Sequence, residues 1–267
     1  MFNAKPYANP EVILITGASS GIGEALALHY AKEGVTLHLG GRDAERLAAV
    51  AEACKTLGAT AITRQCDITD EAGMDAWIRE ADAATPLNLV IANAGVSAGA
   101  KSVKDLSAAA DRAFDINVRG MFNTVHPALE VMATRPWPIR NAQIGIVASV
   151  MGFLGTARSP AYSTTKGMNK QYGQGLRGAV RHMGIGITVL CPGYVTTPMM
   201  GPSGADYPFA ISAEKTASIM ANALAKDKAR ITFPWQVKVI AGLAQNLPGF
   251  LVDRWNKPYG VPELTAD

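Results

Sequence analysis

Residues 11–30 read "EVILITGASSGIGEALALHY", an apolar, β-branched run that passes through a glycine turn into a segment with helical apolar spacing. Read as strand, turn and helix, this stretch decides the fold. Gly17 makes the tight turn where the strand stops, Gly21 lets the main chain approach a phosphate-bearing ligand, and Gly23 lets the helix lie close on the sheet. Ser19, Ser20 and the N–H groups of the helix start, Ile22 among them, are then donors for phosphate oxygens. A glycine-rich turn with no ligand is the competing reading. The spacing is T-G-x-x-x-G-x-G, not G-x-G-x-x-G.

Outward from this turn the same alternation repeats. Apolar runs recur at "TLHLGG" (36–41), "TAITRQC" (60–66), "LNLVIAN" (87–93), "QIGIVAS" (143–149), "GITVLCP" (186–192) and "RITFP" (230–234), making seven candidate strands with the first. Helical patterns at 21–34, 43–58 and 69–84 lie between them. Strands that are nearly all apolar are buried on both faces, which predicts an α/β fold: a doubly wound, Rossmann-type parallel sheet with helices on both faces, in three layers. Ligands of such sheets sit at the carboxyl ends of the strands.

The 267 residues show no linker, repeat or low-complexity tract, so one domain over 1–267 is expected. The chain is 48% hydrophobic and 18% charged, and its net charge of +3 is too small to imply a nucleic-acid partner. The first residues lack a signal-peptide core, and no window of about twenty residues is free of polar groups. A cytoplasmic protein without integral membrane contact is expected. Cys54, Cys66 and Cys191 lack pairing or metal-ligand spacing and read as reduced, with no metal site. His29, His38, His126 and His182 have no partner motif and read as structural.

At 161–167 the sequence is "AYSTTKG". In a helix Tyr162 and Lys166 project from one face, one turn apart. A phenol keeps its proton until about pH 10, and a neighbouring ammonium lowers that value. The alternative is an ordinary surface pair at helical spacing.

Taken together, these motifs resemble the short-chain dehydrogenase/reductase family over residues 10–233: Thr16-Gly17 through Gly23, Asp67 after the third strand, "ANAG" (92–95), Asn117, Ser149, Tyr162 with Lys166, and "PGYVTT" from Pro192. The family usually has Asn where this chain has Ala92. The resemblance implies a nicotinamide cofactor, with Asp67 accepting from the adenine amino group and Ile68 packing on the ring. Asn93, Ala94 and Gly95 would lie near the cofactor, and Pro192, Gly193, Val195 and Thr197 would hold the nicotinamide end. An acid at the end of the second strand would select NAD(H); Gly41 stands there instead, followed by Arg42, which matches a 2′-phosphate and favours NADP(H). A salt bridge from Arg42 to Asp43 or Glu45 is the other reading.

Ser149 lies thirteen residues before Tyr162, as the family's catalytic pair requires. The resemblance implies hydride transfer between nicotinamide and a carbonyl or secondary alcohol, with Tyr162 as acid or base, Lys166 lowering its pKa and bonding the ribose, and Ser149 donating to the substrate oxygen. Asn117, within "FDINVRGMF", would hold a water linking Lys166 to solvent; a polar residue on a solvated helix face is its alternative. A non-catalytic nucleotide-binding regulator or scaffold is the competing function, against which the intact Ser149, Tyr162 and Lys166 set argues. Sugar-nucleotide epimerases share the Tyr-x-x-x-Lys pair, but with other glycine spacing and a longer substrate domain.

Gly167, Gly173, Gly175 and Gly178 weaken the helix that carries the pair, by up to about 1 kcal/mol each. Close packing against the Asn117 helix and its copy in a second subunit would compensate, and a homodimer or homotetramer is expected. Residues 198–215 occupy the place of a substrate lid, with Met199, Met200, Tyr207 and Phe209 as an apolar wall or as core. The extension 234–267 has an apolar face that would cover the pocket, join subunits or touch a membrane surface.

Overall fold

The computed structural model describes residues 9–97, 99–100, 102–136, 142–157, 159–200, 207–244 and 246–256, with Trp255 and Asn256 as main chain only. Of the expected lid and extension, 201–206, 245 and 257–267 lie outside the described residues. The strands are β1 (Val12–Thr16), β2 (Thr36–Gly41), β3 (Thr60–Gln65), β4 (Leu89–Ala92), β5 (Ala142–Val147), β6 (Ile185–Pro192), the short β7 (Val195–Thr196) and β8 (Ile211–Ser212), and β9 (Arg230–Phe233). The helices are α1 (Gly21–Tyr30), α2 (Ala44–Thr56), α3 (Glu71–Ala84), α4 (Asp105–Phe114), α5 (Gly120–Ala133), α6 (Pro160–Val180), α7 (Ala213–Ala225), α8 (Trp235–Ala244) and α9 (Gly249–Asn256).

All seven expected strands form one parallel sheet in the order β3-β2-β1-β4-β5-β6-β9. β1, β4, β5 and β6 are buried along their whole length, as strands covered on both faces must be. Alternation along β1 divides the core. Ile13 and Ile15 pack with Leu26 of α1, Leu47 of α2 and Met220 of α7, whereas Leu14 packs with Trp77 and Ile78 of α3 and Val125 of α5. The strand order reverses between β1 and β4, and a crevice opens at their carboxyl ends.

Helix starts follow the sequence. Asp43, Asp70 and Ser212 cap α2, α3 and α7 by accepting from the N–H groups of Arg46, Gly73 and Lys215. Between α4 and α5 the chain widens into a π-turn, Asp115–Arg119. On α6, buried Arg177 donates from Nη1 to the Ile187 carbonyl and to Asp227 Oδ1, both at 2.7 Å, and from Nη2 to Asp227 Oδ2 at 2.8 Å. One guanidinium thus ties α6, β6 and the turn before β9 together.

Two of the four glycines of α6 are accounted for within the chain itself. A Cβ on Gly173 would lie 2.6 Å from Val189 Cγ2, so this glycine seats the helix on β6 of its own sheet. Gly167 faces Gly152 across a main-chain contact, with its added Cβ 3.4 Å from the Gly152 carbonyl oxygen. Compensation for these two arises within the chain, by close approach to strand and turn. A Cβ on Gly175 or Gly178 would meet nothing within 4 Å.

Candidate functional site

A cleft of about 820 Å³ lies at the carboxyl ends of β1, β4, β5 and β6. Its first wall is the glycine turn. Gly17 and Gly21 have φ values of 67° and 60°, the left-handed region that favours glycine. A Cβ on Gly23 would fall 2.1 Å from the Gly17 carbonyl oxygen, so Gly23 closes the turn onto α1 and does not line the cleft. Ser20 precedes α1 in extended conformation without capping it through its side chain. The first-turn N–H groups of α1 therefore have no side-chain acceptor at Ser20, the arrangement that suits an anion.

The wall beneath is held by β4 and the loop after it. Thr16 Oγ1 accepts from Asn93 N and Ala94 N, and Asn93 Nδ2 donates to the Thr16 and Gly17 carbonyls at 3.0 and 3.2 Å. This set supplies the strand support that Ala92 lacks. It also directs the Asn93 amide into the glycine turn.

At the end of β2, Gly41 has little room for a side chain, since a Cβ would sit 3.2 Å from Ser19 Oγ. Arg42 and Arg46 both line the cleft here. Asp43 is engaged by Arg46, Nε to Oδ2 at 2.6 Å, and Arg42 makes no salt bridge among the described residues. Sequence reasoning missed Arg46, whose only signal was its spacing of four from Arg42. Asp67 Oδ1 accepts from the Thr69 N–H and hydroxyl at 2.9 and 2.8 Å, and these bonds hold its carboxyl below the usual range. Ile68, beside it in the wall, fits against Gly120, where a Cβ would lie 2.4 Å from Ile68 Cδ1.

The opposite end gathers Ser149, Tyr162 and Lys166. Ser149 follows β5; Tyr162 and Lys166 come from the first turns of α6. Burial raises the Tyr162 phenol pKa, the nearby Ser149 side chain opposes this in part, and the net shift is upward. Lys166 Nζ lies 5.8 Å from the Tyr162 ring centroid and donates to the Val147 carbonyl at 3.0 Å. Burial brings its pKa down to about 8. Within the chain alone, then, the ammonium is itself destabilised and the phenol keeps its proton.

Asn117 is fully buried in the π-turn and does not line the cleft, which excludes the solvated helix face. Its Oδ1 accepts from Val96 N at 2.8 Å, and its Nδ2 donates to Val96 O at 2.9 Å and to Thr165 Oγ1 at 3.1 Å. The amide thus clamps the loop after β4 to α6. Its main-chain carbonyl accepts from Asn169 Nδ2 at 2.9 Å. Gly95 separates the two groups, for a Cβ there would be 3.0 Å from Asn117 Oδ1 and 3.3 Å from Lys166 Nζ.

The turn carrying Ser149 is locked to α6 by main chain. A Cβ on Gly152 would lie 2.6 Å from Gly167 N and from the Lys166 carbonyl carbon and oxygen. Gly152→Ala must push the turn off the helix and part the Ser149 and Tyr162 hydroxyls. The expected result is a loss of stability of about 1–3 kcal/mol. A reaction that needs Ser149 and Tyr162 together should slow roughly 10²-fold, as for a misplacement of about 1 Å. Unchanged turnover in a folded variant would show that this contact does not set the spacing.

The remaining wall is apolar: Met151, Tyr194, Met199, Met200 and Tyr207 line it, and the Tyr194 and Tyr207 rings lie 4.5 Å apart. Phe209 is exposed. Pro192, Gly193, Val195 and Thr197 line the cleft as well, with Thr197 Cγ2 3.1 Å from where a Gly21 Cβ would be. Among the described residues the cleft's charged groups other than Lys166, namely Arg42, Asp43, Arg46 and Asp67, stand at the β2–β3 end. Among the described residues no group of three or more His, Cys, Asp or Glu could hold a metal ion.

The sequence profile of the family described as short chain dehydrogenase matches residues 11–208. An uncharacterised oxidoreductase of Myxococcus xanthus is 34% identical over 242 residues, covering 90% of this chain and 94% of that protein. A crystal structure of a 3-ketoacyl-ACP reductase from Sinorhizobium meliloti superposes with a TM-score of 0.73 at 26% identity, covering 86% of this chain and 99% of the other. A short-chain type dehydrogenase/reductase from Mycobacterium marinum does so with a TM-score of 0.75 at 23% identity, covering 84% and 93%.

Proposed function

The chain belongs to the short-chain dehydrogenase family, and on that premise we propose that it transfers hydride between NADP(H) and a neutral, apolar carbonyl or secondary alcohol, with Tyr162 as the proton donor or acceptor. The observation that carries this reading is the meeting of Ser149, Tyr162 and Lys166 at one end of a cleft whose other end has a glycine turn and two guanidinium groups. A scaffold that only bound nucleotide would have no use for a phenol set beside a serine and a buried lysine in the cleft.

The residues present fit a dinucleotide. The α1 N-terminal turn with Ser19, Ser20 and Gly21 would take its phosphates, Asp67 and Ile68 its adenine, and Pro192, Gly193, Val195 and Thr197 its nicotinamide end. When bound, the cofactor supplies the hydride that joins or leaves the carbonyl carbon. Ser149 donates to the substrate oxygen as negative charge grows there, and Tyr162 gives that oxygen its proton. Lys166 would hold the ribose hydroxyls of the bound cofactor and favour the phenolate, so that Tyr162 works reversibly. The Asn117 carbonyl, with a second lone pair beyond its bond from Asn169, is the acceptor for a water that returns protons to Lys166.

Coenzyme choice rests on Gly41, Arg42 and Arg46. Arg42→Ala should weaken NADPH binding by about tenfold to a hundredfold and leave NADH nearly unaffected, because a charge-assisted contact to the 2′-phosphate is lost. Equal losses for both coenzymes in a fluorescence titration would reject the assignment. The methionine and tyrosine wall supports an apolar substrate, and residues 198–215 are its lid. A panel of uncharged and charged carbonyls with NADPH, followed at the reduced-nicotinamide absorbance, tests the whole reading. Turnover of phosphorylated or carboxylated substrates in preference to neutral ones would overturn the substrate class.

A further inference from the structure

The C-terminal helix α8 is inside out. Its alanines, Ala241 and Ala244, are the residues buried against the protein at 6% and 4% exposure, while Trp235, Val239 and Leu243 stand outward at 71%, 52% and 68%. Those three are spaced i, i+4, i+8 and form one stripe. Phe250 of α9 is equally bare at 71%. Single exposed apolar residues are ordinary, but a helix that turns its large side chains out and its small ones in presents a face meant to be covered.

Charge identifies the cover. From Lys228 to Val252 the chain contains no Asp or Glu, and its ionisable side chains are Lys228, Arg230 and Lys238, all exposed. Lys238 stands one turn from Trp235 at the edge of the stripe, and Arg254 lies one turn beyond Phe250, beside Asp253, the first acid to return. On α8 itself Lys238 is the ionisable side chain, and a two-fold contact between copies through this helix would bring that cation against its own copy with no acid on the helix to meet it. Anionic headgroups accept the cations while the acyl boundary takes the Trp, Val, Leu and Phe side chains. At ten residues α8 is suited to lie in that boundary, and no described helix is long and apolar enough to cross a membrane.

We propose that α8 and α9 dock this chain peripherally on an anionic lipid surface. The test is co-sedimentation with sucrose-loaded vesicles of phosphatidylcholine, with and without phosphatidylglycerol, at low and high salt. It compares the full chain, a Trp235→Glu/Leu243→Glu variant and a chain ending at residue 256. Sedimentation velocity of each is run in parallel. The wild type should pellet with the phosphatidylglycerol vesicles at low salt, and the variant's partitioning should be about tenfold lower or more at unchanged mass and turnover. No pelleting of the wild type would overturn the proposal. If its oligomer were split by the variant, a second copy would be the cover. Pelleting only after removal of residues 257–267 would make the chain's own tail the cover, and would overturn it equally.

Discussion

Tyr162→Phe is expected to lower turnover by about 10²–10⁴-fold, the usual contribution of a general acid or base, while binding of the nicotinamide cofactor persists. The substitution keeps the ring and removes only the hydroxyl on the Ser149 side of the cleft. Because burial raises the phenol pKa in the chain by itself, the phenolate needed for alcohol oxidation has to be favoured by positive charge at the site, from Lys166 and from the oxidised cofactor. Oxidation should therefore rise with pH through the tyrosine's apparent pKa. In Lys166→Met that limb should move to higher pH, with weaker coenzyme binding besides. Stopped-flow measurement of hydride transfer across pH checks both. A Tyr162→Phe enzyme retaining most of its turnover would return the tyrosine to the status of a surface residue and revive the scaffold reading.

Asp227→Asn is expected to destabilise the fold by about 3–5 kcal/mol, the range for breaking a buried ion pair from one side. The Arg177 guanidinium would remain buried, bonded to the Ile187 carbonyl but without a counter-charge. Asp227 has φ 44°, and asparagine tolerates that region, so the charge and not the backbone is what changes. For a chain of this length the loss corresponds to a fall in Tm of roughly 6–20 °C. Combining it with Arg177→Met should recover part of the stability, since removing both charges leaves neither one stranded. A double variant less stable than Asp227→Asn would mean that the hydrogen bonds to Ile187 and the Asp227 main chain, and not the charge pair, hold the three elements.

Much of this architecture could be read directly from the sequence. The runs of β1, β4, β5 and β6 are nearly all apolar because both faces are buried, whereas β3, at the sheet edge, is largely exposed, and the glycine turn between strand and helix has a distinctive spacing. Features that depend on distant main chain could not be read. "FDINVRGMF" carries an ordinary helical pattern, so neither the π-turn nor the burial of Asn117 was legible, and its amide bonds to Val96 are invisible until the loop after β4 is placed. The glycines of α6 were visible as anomalies, but nothing local distinguishes Gly173, pressed on Val189, from Gly175, which meets open space. Likewise the apolar face of α8 was apparent, though not that alanines would take the inner side.

The contact between Gly152 and the main chain at Lys166 and Gly167 has a bearing on how such an enzyme changes its substrate range. The Ser149 turn and the Tyr162 helix meet there without an intervening side chain, so no rotamer lies between the proton donor and its partner. The apolar wall reaches the cleft largely from another stretch, through Tyr194, Met199, Met200 and Tyr207. Substitutions on that stretch alter shape and polarity without touching the spacer. New specificities can therefore be drawn by exchanging Tyr194, Met199, Met200 and Tyr207 alone, with the alignment of Ser149 and Tyr162 inherited intact.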